Sequence, residues 1–130
     1  MIRFFMAMEP PTKTFQAKRL GMHGPKPVLY DSPELKEIKA KLGAHLAKHV
    51  PPAPIEGAVR VMVKWLYPIS GTHSDGQYKT TKPDIDNAGK ALLDAMTDLG
   101  FWRDDAQIAS YIAEKFWAAN PGIYVEIVSI

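Results

Sequence analysis

Cysteine is absent from the 130 residues, which excludes disulfides, thiol nucleophiles and cysteine-ligated zinc. The absence also fits a reducing compartment. No apolar run approaches the roughly 20 residues that span a bilayer. The apolar start, Met1 to Met8, is cut by Glu9-Pro10-Pro11 before it reaches the length of a signal-peptide core. The expectation is a cytoplasmic protein with no membrane partner. Acidic residues are missing between Pro10 and Pro27, a stretch that carries Lys13, Lys18, Arg19 and Lys26. Internal repeats and low-complexity segments are missing too.

What is present reads as globular. The apolar fraction is 46%, typical of a chain that buries a core. A length of 130 residues suits one domain, residues 1–130, and is short for two. The net charge of +2 conceals an uneven distribution. Residues 1–83 hold thirteen Lys and Arg against six Asp and Glu, while residues 84–130 hold three against eight. A basic half beside an acidic one suits a surface that binds a polyanion next to a site that binds a cation.

The element pattern is mixed. Ile2 to Met8 reads as a strand, and Val28-Leu29-Tyr30 as a short one. Pro10 to Pro27 reads as a loop, its Gly and Pro marking turns. Ser32-Pro33-Glu34 opens a helix, with Ser as N-cap and Pro in the first turn. Leu35, Ile38, Leu42 and Leu46 form its apolar stripe, and Pro51-Pro52 ends it. Its lysines (Lys36, Lys39, Lys41, Lys48) read as a solvated face, and the i,i+4 pair His45 and His49 as surface residues, since no acid or Cys stands nearby. Gly57 to Tyr67 alternates as a strand, and Gln107 to Trp117 does the same. Ala118 to Gly122 is a turn, so the last strand, Ile123 to Ile130, is expected to form a hairpin with the one before it. The fold class is α+β: a mixed sheet of about four to five strands with two main helices packed on it.

The organising stretch is Lys82-Pro83-Asp84-Ile85-Asp86-Asn87 with the segment to Gln107. Apolar residues at Ile85, Ala88, Leu92, Ala95, Met96 and Leu99 recur at helix spacing. Gly100 suits a helix C-terminus. Asp84 and Asp86 stand where an extended segment becomes this helix, Lys90 is one turn beyond Asp86, and Asp105 follows in the next turn. Carboxylates brought to one point repel unless a cation lies between them. Hard oxygen donors without Cys or His suit Mg²⁺ or Mn²⁺. The bland alternative is ordinary: acids favour helix N-termini, and Asp104-Asp105 can be a surface turn. Of the basic residues, Lys13, Lys18 and Arg19, with Lys79 in the polar Ser70–Thr81 loop and Lys82 just after it, are candidate phosphate contacts of a polyanion, the alternative being solvated loops. That loop is a candidate for mobility without its ligand. Phe15 is expected to pack inward, and Trp102, beside the acids, is the aromatic most open to a role at the site.

The Asp84-Ile85-Asp86-Asn87 run, Lys90, and Asp104-Asp105-Ala106-Gln107 occur in the order and spacing of the D-x-D-N, lysine and D-D-x-Q motifs of RusA-type Holliday junction resolvases. Residues 82–108 resemble that family most closely. The resemblance implies a crossover junction endodeoxyribonuclease in which Asp84, Asp86 and Asp105 hold Mg²⁺ (or Mn²⁺) and Lys90 is the catalytic lysine. It also implies a homodimer that cuts four-way junction DNA by paired symmetric nicks. Two rivals stand beside it: a related nuclease for flaps or forks, and a branched-DNA-binding module that keeps the acids without chemistry.

Overall fold

The computed structural model describes residues 1–12, 18–24 and 26–130, with the side chains of residues 18–23 and 26–30 outside the description. Lys13 and Phe15 therefore lie outside the described residues. The element order is β1 (Ile2–Met6), β2 (Lys18–His23), β3 (Lys26–Asp31), α1 (Pro33–Leu46), β4 (Val59–Pro68), α2 (Ile85–Leu99), β5 (Ile108–Ala118) and β6 (Gly122–Ser129). Four strands form one mixed sheet in the order β1-β6-β4-β5, and β2 pairs with β3 in a separate antiparallel ribbon. The α+β class and the two helices match the expectation.

Strand β4 is the axis of the sheet. Val59, Val61, Val63 and Trp65 are fully buried and Tyr67 nearly so. Arg60, Met62, Lys64 and Leu66 alternate with them on the more open face. A strand buried this way needs neighbours on both sides to satisfy its backbone N–H and C=O groups. It pairs antiparallel with β6 and parallel with β5.

That pairing overturns the expected terminal hairpin. β5 and β6 are consecutive, but β4 lies between them. The link from Ala118 to Gly122 crosses two strand spacings, about 10 Å, which a few extended residues can span. A second difference concerns the basic stretch: residues 18–23, read as loop, form β2 against β3, with Lys18 opposite Asp31 and Leu20 opposite Leu29.

Both helices cover the face carrying Trp65. Leu35, Leu42 and Leu46 of α1 and Ala88, Ala91, Leu92, Ala95 and Met96 of α2 join Phe4, Met6 and the inward residues of β4 and β6 in one core. Leu99, counted in the apolar stripe, is 37% exposed, because the helix ends there and the chain turns away at Gly100. His49 departs from its surface assignment. Its ring stacks on Phe4 at 4.2 Å, and its Nε2 is buried without a partner among the described residues. Burial, followed by the charge of Lys48, lowers its pKa and favours the neutral ring.

The start of α1 follows its sequence signal. The hydroxyl of buried Ser32 accepts the Leu35 amide at 3.2 Å, with Pro33 in the first turn. Ser32→Ala is expected to lower the free energy of urea unfolding by about 1 kcal/mol, the usual worth of such a cap. An unchanged midpoint and slope would show that the cap contributes nothing here.

Candidate functional site

The parallel pairing of β4 with β5 forces a crossover, since parallel strands cannot be joined by a tight turn. The crossover is residues 69–107, and it contains every acid singled out above. Its helix α2 starts at Asp84 and stops at Gly100, whose φ of 92° is the left-handed conformation a glycine takes at low cost. The amides of Gly100 and Phe101 return to carbonyls of the last turn.

Asp84 occupies the N-cap position with extended φ and ψ, yet its side chain makes no capping hydrogen bond. The carboxylate is exposed and left available. Asp86, also exposed, lies in the first turn and accepts the amide of Asn87 at 3.1 Å through Oδ1. Lys90 is exposed one turn on, and among the described residues it forms no ion pair with Asp86. The next polar residue on this face is Asp94, which is half-buried and lies 3.5 Å from Lys39 Nζ. Lys39 in turn binds Asp31 at 3.0 Å.

The helix is seated against β5 through a glycine. A Cβ at Gly89 would collide with the Tyr111 hydroxyl. The missing side chain at Gly89 leaves room for the Tyr111 hydroxyl beside the turn between Asp86 and Lys90. Desolvation of the Tyr111 hydroxyl against α2 raises its pKa to about 12, although the residue is 39% exposed.

Asp105 is placed by a bracket that sequence reasoning did not identify. Asp104 Oδ1 accepts the Ala106 amide at 2.9 Å. The Gln107 side-chain oxygen accepts the amides of Arg103 at 2.9 Å and Asp104 at 3.2 Å. Its Nε2 donates to the carbonyls of Ile55 at 2.8 Å and Gly57 at 3.0 Å. The first and last residues of D-D-x-Q therefore fold the turn and tie it to the segment before β4, and Asp105 faces solvent. Trp102 belongs to the same anchor. It is 1% exposed, and its Nε1 donates to Thr97 Oγ1 at 2.7 Å.

The charges at the two ends of α2 differ. Asp105 is held above the ordinary aspartate value by a hydrogen bond with Asp104, then by desolvation and by the charges of Asp104 and Asp94. The Ala106 amide pulls weakly the other way. Asp84 and Asp86 are not among the groups acting on it. Asp94 lies eight residues beyond Asp86, about 12 Å along the helix axis. Among the described residues no three Asp, Glu or His side chains form a group ready to hold a metal ion. The structure thus places Asp84, Asp86 and Lys90 at the start of α2, while Asp105 follows its C-terminus, where Asp104 and Asp94 act on it. The donor chemistry fits Mg²⁺ or Mn²⁺: available carboxylate oxygens, and at Asp105 an excess of negative charge that a cation would relieve.

Of the basic candidates, Lys82 is exposed beside Asp84. Lys79 is not a free cation: its Nζ lies 4.0 Å from the centre of the Trp117 ring and donates to Thr81 Oγ1 at 2.6 Å. His73 stacks on Trp117 at 4.3 Å. The loop expected to be mobile is pinned to β5 by Gly76 N to Trp117 O, Trp117 N to Gln77 O and Lys79 N to Lys115 O. Lys18 and Arg19 belong to β2, their side chains outside the description. Clefts of about 310 Å³ between Pro10 and α1 and about 370 Å³ over Phe116 and Trp117 contain none of the acids singled out above. The acids lie on open surface, accessible to a large ligand.

Acidic donors on a helix-bearing crossover, with an exposed lysine among them, define a surface suited to phosphate chemistry. The endodeoxyribonuclease RusA family model matches residues 8–128. A crossover junction endodeoxyribonuclease of Lactococcus phage r1t is 35% identical over 91 residues, covering 68% of this chain and 70% of its own length. The uncharacterized protein YqaN of Bacillus subtilis is 30% identical over 108 residues, 75% of each chain. The crossover junction endodeoxyribonuclease RusA of Escherichia coli K12 is 57% identical over 39 residues, 30% of this chain and 32% of its own. The chain belongs to the endodeoxyribonuclease RusA family.

Asp105 gives a pH test of this arrangement. Its raised pKa means that folding favours the protonated acid. That contribution is present at low pH and lost as the pH rises through the raised value. Asp104→Asn removes the neighbouring charge, and Asn still caps. The ¹³C NMR titration midpoint of the Asp105 carboxyl is expected to fall toward the ordinary 3.8. A midpoint that stays in place would mean that Asp104 is not the cause.

Proposed function

We propose that this chain is a divalent-metal-dependent endodeoxyribonuclease that resolves four-way DNA junctions by paired symmetric nicks, acting as a homodimer. Membership of the RusA family over residues 8–128 carries this reading, together with Asp84, Asp86, Lys90 and Asp105, all exposed on the crossover. Asp84, Asp86 and Asp105 would hold Mg²⁺, with Mn²⁺ as substitute. A divalent cation bound there supplies Lewis-acid polarisation of the scissile phosphate.

The chain's own residues do the rest. Lys90 presents an ammonium on the face of Asp86, where it offsets negative charge that builds on the phosphoryl oxygens in the transition state. Lys13, Lys18, Arg19 and Lys82 bind backbone phosphates and set the register on the arms. Lys79 adds positive potential from its place on Trp117. A C₂ dimer suits the near two-fold symmetry of a four-way junction, with one site for each of two strands.

A second reading, a branched-DNA-binding module without chemistry, is favoured by one observation: the acids are not gathered into a three-donor group among the described residues.

One assay separates the two. A synthetic four-way junction is incubated with Mg²⁺ and the wild type or Asp86→Asn, with linear duplex as control. The expected result is symmetric nicks by the wild type alone. The variant is expected to lose at least about 100-fold in rate, the scale of several kcal/mol of charge stabilisation, while still binding the junction. Tight binding without nicking in Mg²⁺ or Mn²⁺ would leave the binding module. Preferential cutting of flaps or forks would move the protein to that substrate.

A further inference from the structure

Strand β5 carries a lysine on the wrong face for a lysine. Lys115 is the parallel neighbour of Trp65, and neighbouring residues in a sheet project from the same side. Trp65 is fully buried under the helices, so Lys115 stands on the covered face and is half-buried. An ammonium drawn out of water requires hydrogen-bond acceptors. Lys115 Nζ donates to the Thr81 carbonyl at 2.8 Å and the Pro83 carbonyl at 2.7 Å. These two carbonyls flank Lys82, and the second belongs to the peptide that delivers Asp84.

We propose that Lys115 is a positioning residue for Asp84, its ammonium clamping the Thr81 and Pro83 carbonyls so that the Asp84 carboxylate is held toward the metal and the scissile phosphate. The inference rests on the reading of Asp84 as a metal ligand. The need for a clamp follows from the local structure. Asp84 caps no helix amide, so its own side chain does nothing to fix its direction. What fixes it is the backbone before it, and that backbone is an irregular segment. The peptide plane between Pro83 and Asp84 is set by whatever holds the Pro83 oxygen. Lys115 holds it from β5, the same strand whose Tyr111 seats Gly89 and whose start follows Asp105. One strand thus indexes the Asp84 end of α2 to its Asp105 end. A compact ammonium reaches both carbonyls from one point, whereas a planar guanidinium spreads its donors.

Removing the ammonium leaves the rest of the zip in place. The main-chain bond from Lys79 N to Lys115 O at 3.0 Å, and those of Gly76 and Gln77 to Trp117, do not involve the side chain. Lys115→Met, which keeps the length and apolar stem, is therefore expected to fold, with Lys115→Arg as the conservative partner and Lys115→Gln as a second variant should Met prove insoluble.

The experiment compares these full-length proteins with the wild type in three measurements. The first is ¹⁵N relaxation of the Lys82, Asp84 and Ile85 amides without metal. The second is calorimetric binding of Mn²⁺ alone, and the third is the Mg²⁺ midpoint for junction nicking. Lys115→Met is expected to lower backbone order at those amides and weaken Mn²⁺ binding about 10-fold, the low end for loss of a group that orients a metal ligand. The Mg²⁺ midpoint should rise in parallel, with junction affinity unchanged and partial recovery in Lys115→Arg. Wild-type order at Asp84 together with wild-type Mn²⁺ affinity in Lys115→Met would overturn the proposal. Should the wild type bind no Mn²⁺ at all, the assignment of Asp84 as a ligand fails instead. The relaxation data then still decide whether Lys115 orders the segment, and unchanged order overturns the clamp.

Discussion

The parallel alignment of β4 and β5 is the constraint on which the candidate site depends. Two parallel strands side by side oblige the chain to travel back along the sheet before it can pair again. In this protein that return journey is a pinned loop, helix α2 and a bracketed turn. The acids stand at the two junctions of the return, where extended chain becomes helix and where the helix gives way to the next strand. The sheet supplies rigidity, and the crossover supplies the chemistry. The arrangement places polar groups at element ends over a buried scaffold.

The two ends are held by different devices. At the Asp105 end a glutamine satisfies the amides of its own turn and reaches the backbone before β4. At the Asp84 end a lysine from β5 grips two carbonyls. In both cases a long polar side chain bonds to main chain, the commonest form of side-chain hydrogen bonding in proteins. The result leaves Asp84, Asp86 and Asp105 exposed while the backbone beneath them is fixed. The raised pKa of Asp105 reflects first its hydrogen bond with Asp104, then desolvation and the charges of Asp104 and Asp94.

Much of this was legible in the sequence because it is local. Ser32-Pro33 announced α1, alternation announced β4 and β5, and the stripe from Ile85 to Met96 with Gly100 announced α2. The spacing of Asp84, Asp86, Lys90 and Asp105 pointed to a phosphate-handling surface. The parts that escaped are non-local. Asn120-Pro121-Gly122 carries the signals of a hairpin turn, and nothing nearby reveals that β4 will insert between the two strands. Lys18 to His23 contains glycine and lies among prolines, so its pairing with β3 is masked by turn-forming composition. Lys79 reads as a free cation until Trp117, thirty-eight positions later, is seen beneath it. Gln107 and Lys115 act through carbonyls distant in sequence, and a carbonyl leaves no mark in the amino-acid alphabet.

The proposed function has Asp84, Asp86 and Asp105 share one metal ion on DNA, although they lie apart along α2. It is tested most directly by adding one equivalent of Mn²⁺ per chain to the ¹⁵N-labelled protein bound to a four-way junction, with scissile phosphates protected against cleavage. Paramagnetic broadening is predicted at the amides of Ile85 to Asn87 and of Asp105 and Ala106 together, as an ion shared by the two ends requires. Broadening at one end alone, or at neither, would contradict the account.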